Sequence, residues 1–182
     1  MEPLLKREGE DGNEPMRILI LSTDAAFHQE IRALLENAQE ITSIEQQAGR
    51  QTMDQIRDLQ PDLVLLDLET GTAYPLDLVS TISQRHPHIR IVVLSGPGQE
   101  GPVLDALRSG AHGQLGKGDN NREEFIAALQ AVGRGDSVLS PAMAGVILDE
   151  ISCRHQRFRH TRAASSLQAP SPASTSAREE TV

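Results

Sequence analysis

Aromatic residues are scarce in this chain: its 182 residues include no Trp, one Tyr and three Phe. Any core must therefore be built from Leu, Ile, Val and Ala, and almost nothing is available to stack a flavin ring. Cysteine is nearly missing too. Cys153 is the only one, which rules out an intrachain disulfide and makes a cytoplasmic setting the default. No segment approaches the roughly 18 apolar residues of a membrane span, so no membrane partner is expected. Met1 to Pro15 is acidic and lacks the apolar stretch of a signal peptide. Positive charge is thin over most of the length. Residues 1–150 hold 12 Lys and Arg against 24 Asp and Glu, whereas residues 151–182 hold 5 against 2. An acidic folded part argues against direct nucleic-acid binding there.

What is present is a regular alternation. "EGEDGNEP" (8–15) reads as the end of a disordered leader, 1–15. From Met16, short aliphatic runs occur at "RILIL" (17–21), "DLVLLDL" (62–68) and "IRIVVLS" (89–95), with weaker strand candidates at "ITSIEQ" (41–46) and "GQLG" (113–116). Between them, apolar residues recur at helical spacing, as in Phe27, Ile31, Leu34 and Leu35, or Phe125, Ile126, Leu129 and Val132. Pro61, Pro87, Gly110 and Gly135 mark the stops. Strands that are almost uniformly apolar suit burial on both faces. The expected fold is α/β: a doubly wound, five-stranded parallel sheet over 16–150. "LSPAMAGVILDEI" (139–151) predicts one extra C-terminal helix, with Ser140 as N-cap and Pro141 at its first position. From 151 to 182 periodicity is lost, and "AASSLQAPSPASTSA" (163–177) reads as a flexible linker.

In such a sheet, ligands bind beyond the carboxyl ends of the strands. The first strand ends at Ser22-Thr23-Asp24, the third at Asp67, the fourth at Ser95-Gly96 and the fifth at Lys117. A carboxylate at the end of an apolar strand is costly to bury alone, and Lys117 is its natural partner. His86, His88 and His112 have no metal-ligand spacing. By themselves these residues define a polar rim and no more.

The sequence resembles the receiver domains of two-component response regulators, in particular the NarL/FixJ group with a LuxR-type output. The motifs that carry the resemblance are "IRALLE", "PDLVLLDL", "VLDALRSGAHG" and "LSPAMA". It implies a flavodoxin-like fold in which Asp67 is the phosphoacceptor position. It also implies that Ser95 is the switch hydroxyl on the phosphate and that Lys117 pairs with phosphate oxygens. At Ser22 and Thr23 the family carries two acids that hold Mg²⁺. Here both positions are hydroxyls, so the metal ligands left are Asp67 and, one place late, Asp24. Mg²⁺ binding is therefore expected to be weak, since the ion favours a near-octahedral oxygen set with one or two carboxylates. Gln114 stands where the family commonly has a Tyr, at the aromatic position coupled to the switch hydroxyl.

The expected function is signal reception in a transcription regulator, without catalysis and with Mg²⁺-dependent phosphorylation weakened or lost. The resemblance implies a sensor histidine kinase and a second copy of the chain as partners. DNA would be reached only through an output domain absent from this chain, and "TSAREETV" (175–182) resembles the opening of one. A phosphorylation-independent dimerisation or docking scaffold is the alternative. A flavodoxin-like cofactor binder is disfavoured, because no glycine between Met16 and Asn37 permits close backbone approach to a phosphate.

Overall fold

The run "MRILIL" forms a strand buried on both faces, β1 (Met16–Leu21), with Ile18 to Leu21 fully buried. The computed structural model describes residues 15–46, 49, 51–69, 75–118 and 121–166. Within these, β1 is followed by α1 (Ala25–Leu35), β2 (Ile41–Gln46), α2 (Thr52–Leu59), β3 (Leu63–Asp67), α3 (Pro75–Arg85) and β4 (Arg90–Ser95). Then come α4 (Glu100–Arg108), β5 (Gly113–Gly116), α5 (Arg122–Arg134) and α6 (Pro141–Ser166). The sheet has the order β2-β1-β3-β4-β5, and every pair is parallel. The weak strand candidates at 41–46 and 113–116 are both real strands. Residues 1–14 of the expected leader, residues 70–74 and residues 167–182 lie outside the described residues.

Alternation along the strands sorts the core into two layers. Ile18, Ile20, Leu63, Leu65, Val92 and Leu94 pack with Phe27 and Ile31 of α1 and with Phe125, Leu129 and Val132 of α5. Leu19, Leu21, Val64, Leu66, Ile91 and Val93, also buried, point the other way. That face is left to the buried Ile56, Val79, Ile82 and Val103 of α2, α3 and α4. The register pairs Leu21 with Leu66, Asp67 with Leu94, and Ser95 with Gly116. The carboxyl ends of β1, β3, β4 and β5 are thereby level, and the strand order reverses between β1 and β3.

One ring completes the sheet at the opposite end. The backbone N–H of His112 donates to Ile91 O at 2.7 Å, and its Nδ1 accepts the Ile91 N–H at 3.1 Å. Nδ1 can accept only while the imidazole is neutral. Burial, and then the Arg90 charge, hold the His112 pKa below its ordinary value. A depressed histidine pKa means the unfolded chain takes up the proton first. This stabilisation is therefore complete above about 6.5 and is lost as pH falls through the folded-state value. In urea melts at a series of pH values, His112→Phe should lack this acidic step while losing stability at neutral pH. Parallel profiles for the two proteins would show that Ile91 does not depend on a neutral ring.

The chain divides into two compact units, 1–144 and 145–182. Helix α6 starts as expected, at Pro141, with Ser140 Oγ accepting the Met143 N–H at 3.3 Å. It does not stop near 151, where the flexible linker was expected to begin; it continues to Ser166. Apolar periodicity signals a buried face, not helix formation. Arg, Gln and Ala in 154–164 are good helix formers without such a face, so a reading based on burial ends the helix too early. Among the described residues, Leu148 and Ile151 are the exposed large apolar side chains, at 65% and 51%. Cys153 is exposed as well. Among the described residues, no helix is long and apolar enough to cross a membrane.

Candidate functional site

β3 carries Asp67 to the rim and buries it, leaving 1% of the residue exposed. A carboxylate placed so deep must be paired, and each of its oxygens is. Lys117 Nζ lies 2.5 Å from Oδ1, which also accepts the Glu69 N–H at 2.9 Å. Ser22 Oγ donates to Oδ2 at 2.9 Å. The same Ser22 oxygen accepts the Asp24 N–H at 3.0 Å. The Ser22 hydroxyl is thus fixed by a donor on one side and an acceptor on the other.

Lys117 is shared. Its Nζ is also 2.6 Å from Glu69 Oε2 and 5.0 Å from the centre of the Phe27 ring. Burial alone would lower the lysine pKa. The hydrogen bonds and charges of Asp67 and Glu69 more than offset this and raise it above its ordinary value. The ammonium therefore stays charged between two carboxylates.

Glu69 is the residue that sequence reasoning missed. A signal was available: Asp67 and Glu69 are two apart at a strand end, so both can face the same side, with Leu68 turned away. Gly96, at the end of β4, makes room for it. A Cβ there would come within 2.9 Å of Glu69 Oε1. Gln99 Nε2 reaches that oxygen at 3.4 Å.

Asp24 has a structural part at the start of α1. Its backbone is extended and its Oδ1 accepts the Ala26 N–H at 2.8 Å, which makes it the N-cap of α1. That carboxylate serves the helix backbone, as an N-cap acid does. Thr23 is exposed. Ser95 is buried, and its hydroxyl accepts from Gln114 Nε2 at 3.1 Å, while its carbonyl accepts the Lys117 N–H at 3.0 Å. The structure therefore brings Ser22, Asp67 and Lys117 into direct contact, with Ser95 held alongside through the Lys117 backbone.

Receiver domains generally bind Mg²⁺ at their phosphorylation site. The residues here do not fit that ion well. Both Asp67 oxygens already face donors, and positions 22 and 23 offer hydroxyls in place of carboxylates. Among the described residues, no group of three or more His, Cys, Asp or Glu is placed to hold a metal.

A parallel sheet of order 2-1-3-4-5 with a buried aspartate, a strand-end serine and a lysine on one rim is the architecture of a signal receiver. Residues 18–130 match the model of the response regulator receiver domain, and the chain belongs to that family. It is 33% identical over 135 residues to the nitrate/nitrite response regulator protein NarL of Escherichia coli K12, a match covering 74% of this chain and 62% of NarL. The chain thus spans about three fifths of that relative's length. A LuxR-family two-component response regulator from Aurantimonas superposes with a TM-score of 0.66 at 22% identity, over 76% of this chain and 99% of that one. A structure of two RcsB dimers bound to two parallel DNAs gives 0.62 at 17% identity, over 72% and 67%. At these identities the two structures speak to the fold alone.

Proposed function

We propose that residues 16–150 are the signal-receiving domain of a transcription regulator in which Asp67 occupies the phosphoacceptor position but takes up phosphate poorly. The observation that carries this is the closed state of Asp67. It is buried beneath Lys117 and Ser22, with a competing carboxylate, Glu69, on the same ammonium. Phosphoryl transfer is catalysed mainly by positioning and charge neutralisation. Two hydroxyls in place of the acids remove the means of concentrating a divalent cation there. The domain works by changing its contacts and not by turning over a substrate. Its incoming partner would be a sensor histidine kinase in the cytoplasm. DNA would be bound elsewhere than on 16–150, whose acidic surroundings repel a polyanion. In this reading 151–182 leads away from the receiver toward the DNA-binding part.

The exposed Leu148 and Ile151 favour a second reading, a scaffold that pairs with its own copy whether or not it is phosphorylated. One experiment addresses both. The chain is incubated with acetyl phosphate and Mg²⁺, then examined by intact mass and light scattering. Little or no phosphoryl adduct is expected, together with a dimer mass that does not change with the phosphodonor. A full adduct lost in Asp67→Asn would overturn the weakened-receiver reading. A monomer at high concentration would dispose of the scaffold.

A further inference from the structure

Gln114 lies in the middle of β5 and is 4% exposed. An amide buried so deeply must place both its donor and its acceptor. Here they go to different elements. Nε2 donates to Ser95 Oγ at the end of β4, at 3.1 Å. Oε1 accepts the backbone N–H of Ser140 at 3.2 Å. Ser140 is the N-cap of α6: its Oγ accepts from Met143 N and its carbonyl accepts from Ala144 N at 3.0 Å. Met143 is itself buried. The approach to α6 lies close along β5, since Gln114 N donates to Val138 O at 2.7 Å and a Cβ on Gly113 would meet that same oxygen at 2.9 Å.

We propose that Gln114 is a positioning residue that transmits the orientation of the Ser95 hydroxyl to the first turn of α6. The side-chain amide is planar, so its two ends move as one body. If the Ser95 hydroxyl turns away, the Nε2 donor is left unpaired in a buried place. It regains a partner only by rotating the whole amide, and that withdraws Oε1 from the Ser140 N–H. The N-cap of α6 then loses one of the contacts that tie it to the sheet. Room for the rotation exists: a cavity of about 250 Å³ is lined by Ser95, Gln114, Val103, Ser140 and Met143. A phenylalanine at 114 could not form this link, because its ring carries no polar atom to offer either the Ser95 hydroxyl or the Ser140 N–H. The inference deepens the proposed function, and it rests on that reading only in taking Ser95 as the switch hydroxyl.

The test is amide hydrogen exchange on the whole chain, followed by NMR, with no phosphodonor present. Ser95→Ala removes the hydroxyl but touches nothing at Ser140. It should speed exchange of the Ser140 N–H by roughly tenfold, the worth of about one net hydrogen bond. The Lys117 N–H, bonded to the Ser95 carbonyl that alanine keeps, should be unaffected. Gln114→Met, which keeps the length of the side chain, should speed the Ser140 N–H at least as much. Adding Ser95→Ala to Gln114→Met should then have no further effect. Unchanged Ser140 exchange in Ser95→Ala would overturn the proposal. So would a full Ser95→Ala effect in the Gln114→Met background. If Gln114→Met fails to fold, the single Ser95→Ala comparison still decides. A chain that never accepts a phosphoryl group passes or fails on the same terms, so this outcome is separate from that of the acetyl phosphate experiment.

Discussion

Lys117→Met is expected to cost about 3 kcal/mol of folding stability, and Asp67→Asn clearly less. Removing one partner of a buried ion pair strands the other charge, a penalty of about 3–5 kcal/mol. Asp67 is almost wholly shut off from water, whereas the Lys117 side chain keeps 17% of its surface exposed. The lower end of the range applies, because Ser22 Oγ and the Glu69 N–H remain on the stranded carboxylate. In Asp67→Asn the ammonium is not stranded, since Glu69 still holds it at 2.6 Å. The double variant should recover part of the Lys117→Met loss. A pH signature accompanies the pair. The Lys117 pKa is raised in the folded state, so its contribution is complete below the ordinary lysine value and is lost as pH rises through the folded one. Wild-type protein should show this alkaline loss and Lys117→Met should not. Urea melts at constant m-value measure both effects. If Lys117→Met melts like wild type while Asp67→Asn falls sharply, the ion pair does not hold the site.

The second large effect concerns magnesium. Wild-type protein should gain little thermal stability from about 1 mM Mg²⁺, because a site poor in carboxylates holds the ion weakly. A Ser22→Asp, Thr23→Asp double variant should behave differently. Ser22 is fully buried against Asp67, so an aspartate there sets two carboxylates side by side with one ammonium already shared. Without metal the variant should be destabilised by about 3 kcal/mol, the cost of a buried unpaired charge. A divalent cation supplies the missing charge. At about 100 times its dissociation constant, Mg²⁺ returns about 2.7 kcal/mol. Calorimetry with and without Mg²⁺ reads both changes. A wild-type melting temperature that climbs with Mg²⁺ as steeply as the variant's would mean that hydroxyls suffice at these positions.

Much of this arrangement was legible in the residues themselves. The runs "ILIL", "LVLL" and "IVVL" are buried on both faces, and a parallel sheet with helices on both sides gives each of them two covered sides. Even the four residues "GQLG" were recognisable as a strand from their place in the alternation. Together with the resemblance to receiver domains, this brought Asp67 and Lys117 to one rim, where they are found in contact. Glu69 escaped because a charged residue just past a strand reads as solvated. Its importance depends on how close the ends of β3 and β4 come, and on Gly96 standing opposite. Asp24 entered as a displaced metal ligand because the family pattern drew attention to position in sequence. The local rule that an aspartate before a helical stripe caps the helix, which Oδ1 of Asp24 obeys, went unused. The later turns of α6 carry no apolar stripe, so periodicity could not mark them. The Ser95–Gln114–Ser140 link joins two side chains and a backbone N–H from three separate stretches, and no spacing along the chain encodes it.

The Gln114 N–H bonded to the Val138 carbonyl has a consequence for how copies of the chain can meet. β5 is the outermost strand on its side of the sheet, and exposed outer strands invite a neighbour's strand to add on. This one is four residues long, and its outward-facing Gln114 donor is already consumed by residue 138 of the same chain. A second molecule therefore finds little of the hydrogen-bonding template it would need on that side. That edge is thereby blunted against the strand-to-strand stacking to which open sheets are prone, and helix surfaces, where charge and shape can be tuned residue by residue, are left as the places where copies could meet.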